Sequence, residues 1–224
     1  MKKRLSILSS IVLAAGLLAA CGDDSNESNG SNGSGATGEG LESKIVTIAT
    51  GGASGPYNII GTTLAKIYTE QYDVNSRTQT TGSSVENLNL IDQGKVEIAF
   101  VMSDALSQAV NGEVSFKEKV DSVSTIATLY PNVVQIITKS DSGIKTIEDL
   151  KGKRVAVGDQ NSGVEVNART LLNGHGITYD DIKVDYLGYA AAADGLSAGT
   201  IDAAFLTSGL PNASVMELSQ TLDI

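Results

Sequence analysis

Gly94-Lys95-Val96-Glu97-Ile98-Ala99-Phe100 and Gly199-Thr200-Ile201-Asp202-Ala203-Ala204-Phe205 carry one pattern, 105 residues apart. In each, a glycine leads through a β-branched residue and an acid to a short run ending in Phe. The register extends outward. Ile91 falls on Leu196 and Ser103 on Ser208 at the same offset. Upstream, Ile48-Ala49-Thr50-Gly51 resembles Val155-Ala156-Val157-Gly158, and Ser54-Gly55 resembles Ser162-Gly163. Each half therefore reads as strand, Gly/Ser turn, helix, strand, helix and strand. Ordered matches of this kind predict two similar α/β lobes.

Hydrophobic spacing supports that order. Residues 45–49 predict a strand, and 56–72 a helix with Ile60, Leu64, Ile67 and Tyr68 on its apolar face. A strand is expected over 74–80, a helix carrying Val85, Leu88 and Ile91, and a strand over 96–101. Residues 126–138 read as a long extended stretch broken at Tyr130-Pro131-Asn132. The second half predicts a strand at 154–157 and a helix over 164–173 closed by Gly174. Strands at 182–187 and 201–206, with a helix between them, complete it. Strands alternating with helices imply parallel sheets built from βα units.

Outside this region the chain is of another kind. Lys2, Lys3 and Arg4 precede an apolar run from Leu5 to Ala20, which is too short for a comfortable membrane span. Basic start, apolar segment and small residues before a cut read as a secretory signal over 1–20. Its ending, Leu18-Ala19-Ala20-Cys21, resembles the bacterial lipoprotein signal, in which Cys21 would become the lipidated first residue. Residues 22–40 hold six Gly, four Ser and three Asn and no large apolar side chain, the composition of a flexible tether. With 21–43 as lipidated Cys and tether, the expected lobes are 44–122 and 123–224. The expected location is extracytoplasmic, at the cell surface or in the periplasm, tied to the membrane through lipid.

Composition narrows the function. Of 224 residues 41% are hydrophobic, enough for a packed core. One Cys excludes an internal disulfide, and one His beside it excludes a zinc site of several such ligands. A net charge of −10, which becomes −13 without residues 1–20, argues against nucleic acid or an anionic lipid surface as partner. No metal or cofactor is expected. The loop 51–55 is Gly-rich but not G-x-G-x-x-G, and no G-x-x-x-x-G-K-[ST] occurs. His175, in Asn173-Gly174-His175-Gly176, reads as a helix end and not as a catalytic base.

Ligands of open parallel sheets bind beyond the carboxyl ends of the strands. Seven loops are predicted there: 50–57, 80–87, 101–104, 130–132, 157–163, 187–194 and 206–212. All three prolines lie in them, no Lys or Arg does, and several open directly into helices. Free N–H groups at helix starts attract anions, so Gly55, Ser84 and Ser162-Gly163 are candidate carboxylate or phosphate cradles, although any βα loop needs such caps. Without Lys or Arg, an anionic group would rest on backbone N–H groups, Ser83, Ser84, Ser103, Ser162 and Asn87. Asp104, Asp159 and Asp194 are rim acids, one of which could meet a ligand ammonium. For Asp104 and Asp194 a helix-start role serves equally well. A zwitterion such as an amino acid fits this rim better than an inorganic anion. Tyr57, Tyr130 and Tyr189 offer aromatic surface.

Several of these segments together resemble one family. They are Thr50-Gly51-Gly52-Ala53-Ser54-Gly55-Pro56-Tyr57, Thr81-Gly82-Ser83-Ser84-Val85-Glu86-Asn87-Leu88, Met102-Ser103-Asp104 and Asp149-Leu150-Lys151-Gly152-Lys153-Arg154-Val155. Asn161-Ser162-Gly163-Val164-Glu165-Val166-Asn167-Ala168 and Ile201-Asp202-Ala203-Ala204-Phe205 with Pro211-Asn212 complete the set. The chain resembles the TAXI family of solute-binding receptors for tripartite ATP-independent periplasmic (TRAP) transporters, from about residue 44 onward. The resemblance implies an α/β, two-lobed architecture like the type II periplasmic binding proteins, with a second lobe incomplete at this length. It implies a non-enzymatic receptor that captures a small carboxylate or glutamate-like amino acid and delivers it to a TRAP-type membrane permease. Carried onto this chain, the pocket would use Gly55, Tyr57, Ser83, Ser84, Asn87, Ser103, Asp104 and Tyr130. From the second lobe it would use Ser162, Gly163, Pro211 and Asn212. Met102 stands where the family often has Gln, and Asp159-Gln160-Asn161 replaces a smaller or Pro-containing turn. An enzyme or a ligand-sensing domain on the same scaffold is the alternative. A nucleophile–base pair in the cleft would mark the first, and a following membrane helix or signalling domain the second.

Overall fold

A computed structural model describes residues 43–224. The signal, Cys21 and nearly all of the tether lie outside the described residues. Two sheets organise the rest. The first runs β1 (Ile45–Ala49), α1 (Pro56–Tyr72), β2 (Asn75–Gln79), α2 (Ser84–Asp92), β3 (Ile98–Ala99), then α3 (Ser103–Asn111). The second is entered through β4 (Val133–Thr138) and continues β5 (Arg154–Ala156), α4 (Gly163–Gly174), β6 (Lys183–Asp185), α5 (Tyr189–Ala198), β7 (Ala203–Ser208) and α6 (Ala213–Leu218).

The sheet orders are β2-β1-β3 and β4-β7-β5-β6. Read from the other edge, β6-β5-β7 repeats β2-β1-β3, with parallel pairing throughout both trios. The two heptapeptides thus occupy equivalent third strands. Their glycines end equivalent helices, Gly94 at φ +64° and Gly199 at φ +68°, where a side chain would be strained. Their acids do equivalent work. The Thr47 N–H, on β1, donates to Glu97 Oε2 at 2.6 Å, and the Arg154 N–H, on β5, donates to Asp202 Oδ2 at 2.8 Å. In return the N–H groups of Glu97 and Asp202 donate to the carbonyls of Thr47 and Arg154. The acid therefore seals the point where the third strand joins the first. In the second sheet Arg154 adds side-chain bonds to Asp202 at 2.6 and 3.1 Å.

Packing follows strand alternation. Val155, Ala203 and Phe205 face one apolar cluster, and Ala156, Ala204 and Leu206 face another. The first of these clusters is shared. Val85, Leu88, Met102 and Ala105, from the first half, pack in it with Val164, Val166 and Phe205 from the second. Val46, Ile48, Ala65, Val74 and Phe100 form a third cluster under α1. On α1 the buried residues are Gly61 and Ala65, and Ile67 is turned to solvent.

Three expectations are corrected. β4 pairs antiparallel to β7, Val133 opposite Ser208, so the second sheet is mixed and not purely parallel. No crossover helix returns the chain between α3 and β4, and without that constraint the strand enters from the opposite end. Within the stretch expected at 126–138, only Val133–Thr138 forms a strand, because the backbone of 126–132 pairs with no neighbouring strand. The strand expected over 96–101 shortens to Ile98–Ala99, while β7 runs two residues further than expected, to Ser208.

Candidate functional site

The carboxyl ends of the parallel strands of both sheets converge on one cleft. It encloses about 510 Å³, counting the space open to solvent at its mouth. From the first sheet come the loop 51–57 after β1, Gly82-Ser83 after β2 and Met102 after β3. From the second come Gly158, Asp159 and Ser162 after β5, Val164 in the first turn of α4, Gly188-Tyr189 after β6, and Thr207 near the end of β7. Tyr130 and Asn132 also line it, although they precede their strand. The reversed direction of β4 explains this, since its amino end lies beside the carboxyl end of β7.

Of the residues expected to bind, Gly55, Tyr57, Ser83, Tyr130 and Ser162 line the cleft. Ser84, Asn87, Ser103, Asp104, Gly163, Pro211 and Asn212 are placed behind or beside it. Asn87 is fully buried. Its Nδ2 donates to the carbonyls of Thr50 (2.6 Å) and Phe100 (2.7 Å), and its Oδ1 accepts from the Thr81 hydroxyl (2.6 Å). It is a strut between the ends of all three strands of the first sheet. Ser84 Oγ accepts from the Met102 N–H at 3.0 Å. Gly163 is packed so closely that a Cβ there would lie 2.7 Å from Met102 Sδ. Ser103 and Asp104 form the first turn of α3. Asn212 caps α6, accepting from the Val215 N–H at 3.2 Å, and follows Pro211, whose peptide bond is cis.

The helix start expected as an anion cradle at Ser84 is occupied by the chain itself. The N–H groups of Val85 and Glu86 donate to the carbonyl of Asn161, at 3.2 and 3.3 Å. Asn161 adopts φ +62°, which turns that carbonyl onto the α2 terminus. A Cβ on Gly82 would stand 2.6 Å from the Gln160 carbonyl oxygen. The two sheets therefore meet behind the cleft through backbone, at a point where only glycine fits.

The cleft interior is aromatic and acidic. Tyr57 stacks on Phe100 with centroids 5.3 Å apart and lies 6.5 Å from Tyr130. Its hydroxyl accepts from Asn132 Nδ2 at 3.3 Å. Tyr189 donates to the Thr207 carbonyl at 2.5 Å. Burial pushes the Tyr57 phenol up to about 12, and it raises Tyr130 and Tyr189 as well, so all three stay neutral at physiological pH. Asp159 is also pushed up by burial. Among the described residues no Lys, Arg, His or Cys lines the cleft. The Tyr130 hydroxyl and Asn132 Oδ1 are buried with no hydrogen-bond partner among the described residues. Among the described residues no group of His, Cys, Asp and Glu is placed to hold a metal ion.

Asp159 and Tyr189, expected on the rim but outside the expected binding set, line the pocket, as do Met102, Asn132 and Thr207 from the expected rim segments 101–104, 130–132 and 206–212. Thr207 lies within β7 and not in a loop after it, and Asn132 reaches the cleft from the amino end of the antiparallel β4. His175 closes α4 as expected, with Nδ1 2.9 Å from Glu148 Oε1, outside the cleft.

The geometry can be set beside known proteins. The model of a family described as NMT1-like matches residues 48–224. The chain is similar to the alkanesulfonate-binding protein SsuA of Xanthomonas axonopodis pv. citri bound to MOPS: 20% identity, 73% of this chain, 54% of that chain and TM-score 0.49. It therefore spans about half of that protein. A binding-protein component of a phosphonate ABC transporter from Pseudomonas aeruginosa aligns at 14% identity over 79% of this chain and 60% of its own, with TM-score 0.55. A substrate-binding protein of an ABC uptake transporter from Streptococcus pneumoniae, with bound histidine, aligns at 16% identity over 80% and 71%, with TM-score 0.56. At these identities the last two likenesses show the fold, that of the bilobed periplasmic binding proteins.

Proposed function

The chain belongs to the NMT1-like family, and from that membership and the shape of the cleft we propose that it is an extracytoplasmic solute-binding receptor. The single observation that carries the reading is the cleft between two equivalent sheets, lined by aromatic rings and small polar groups from both. A site split in this way can close on a solute and release it by relative movement of its halves. Among the described residues, Ser54, Ser83 and Ser162 in the cleft have no imidazole beside them.

The solute is a small carboxylate or amino acid, glutamate-like in size, and the receptor passes it to a membrane permease of the TRAP type, as its resemblance to the TAXI group implies. Lipidated Cys21 and the tether hold it at the outer face of the membrane.

The test is a thermal-shift screen of folded protein against amino acids, dicarboxylates, sulfonates and phosphonates. A ligand at a hundred times its Kd adds about 2.7 kcal/mol. For a chain of this size that raises Tm by about 5–10 °C. A flat response across all four classes from cooperatively folding protein refutes the receptor reading. A response to sulfonates or phosphonates alone keeps the receptor and refutes the proposed solute.

A further inference from the structure

Among the described residues that line the cleft, Asp159 is the only ionisable acid or base apart from the tyrosines. It stands in the loop after β5 and reaches across the cleft. A Cβ on Gly188 would lie 2.9 Å from its Oδ2, and a Cβ on Gly52, from the other sheet, 3.5 Å from the same oxygen. Two glycines from opposite sheets thus make room for one carboxylate. Among the described residues no Lys, Arg or His forms an ion pair with it and no side chain donates a hydrogen bond to it. Burial works against its charge, with no compensating neighbour.

Its surroundings suit a cation. Tyr57, Tyr130 and Tyr189 line the same cleft, and the field of Asp159 is felt at the Tyr189 phenol. Aromatic faces attract ammonium groups, and a desolvated carboxylate attracts them more strongly. A dianion would meet the opposite conditions: a negative charge in the wall and no guanidinium or ammonium to offset it. The chain's own donors in the cleft, such as the hydroxyls of Ser54 and Ser83, suffice for one carboxylate but do not reverse that balance.

We propose that the cleft selects solutes carrying an ammonium group, seated on the Asp159 carboxylate between Gly52 and Gly188 and flanked by the tyrosines. The solute is a zwitterion or a monocation, and the ammonium is the part that binding requires. This rests on the receptor reading and narrows it: of the two solute classes given above, amino acids bind and carboxylates without an amine do not.

The experiment is isothermal titration of the folded chain with pairs that differ only at the amino group. The pairs are L-glutamate against 2-oxoglutarate, L-alanine against pyruvate, and 4-aminobutyrate against butyrate. At least one amine member is expected to bind, with its partner weaker by about 10- to 100-fold. Asp159→Asn, nearly isosteric, should bring the amine down to the level of its partner. Gly188→Ala keeps the charge but drives a methyl onto Oδ2, and should weaken the amine alone. Equal or tighter binding of the keto or deaminated members overturns the inference and leaves the receptor standing, as does an Asp159→Asn chain that binds amines unchanged. Failure of every member of the three pairs, with the chain folded, overturns the inference, and it overturns the receptor as well only when sulfonates and phosphonates also fail to bind.

Discussion

Asn87→Leu tests whether the first sheet depends on a side chain hidden behind the cleft. The replacement keeps roughly the volume but removes one acceptor and two donated bonds, all between 2.6 and 2.7 Å. Each such bond contributes about 1 kcal/mol net, and a buried carbonyl left unpaired costs about 1 kcal/mol more. The Thr50 carbonyl keeps a second donor, the Thr81 hydroxyl at 3.3 Å, so only the Phe100 carbonyl is orphaned. The expected loss is about 3–4 kcal/mol, a large share of the 5–15 kcal/mol typical of a domain. With a urea m-value of about 2 kcal/mol/M, the unfolding midpoint falls by about 1.5–2 M. Asn87→Asp separates hydrogen bonding from shape. Its carboxylate can still accept from Thr81 but faces two carbonyls, so it destabilises at neutral pH and recovers in part as acid turns it into a donor. A midpoint shift below about 0.5 M for Asn87→Leu refutes the strut. If solute binding is lost while the midpoint holds, Asn87 contacts the solute instead.

Two further predictions concern the joints between strands. Arg154 holds the Asp202 carboxyl down at about 2, against an ordinary 3.8. A lowered carboxylate contributes stability above its unfolded value and loses it as pH falls through the folded one. The pair should therefore stabilise above about pH 4 and weaken towards pH 2, by about 1 kcal/mol once solvent screening is allowed for. Asp202→Asn should flatten that part of a urea-midpoint-against-pH curve, and an unchanged slope would count against the assignment. Gly82→Ala places a methyl 2.6 Å from the Gln160 carbonyl and should push the sheets apart at the Asn161 contact. If the Gly82–Gln160 contact forms only when the two halves close on a solute, an overpacking cost of about 1–2 kcal/mol there weakens binding about 5- to 30-fold with little change in the urea midpoint. Unaltered affinity in titration would show that this contact does not govern closure.

Much of the architecture was legible because it rests on short-range rules. The strand–helix alternation and the repeated heptapeptide led to two trios of equivalent topology, in which Gly94 and Gly199 sit at equivalent helix ends. The site was legible only by loop. Tyr57, Ser83 and Ser162 face the cleft, but Ser84, one residue beyond Ser83, faces the backbone of Met102. Asn87 lies in the same loop-to-helix motif and turns inward. Loop membership says that a residue is near the strand ends, not where its side chain points.

Sequence alone determined the order of βα units and the absence of Lys and Arg from the expected rim, because these depend on local conformation and on composition. Tertiary structure decided three other things. It reversed β4, bringing Tyr130 and Asn132 to the cleft beside Thr207. It gave the α2 terminus to the Asn161 carbonyl, so that start of helix is not open to an anion. It also left the Asp159 carboxylate in the cleft without a countercharge. Each depends on contacts between residues distant in the chain, whose distances and directions are set only when the two sheets pack together.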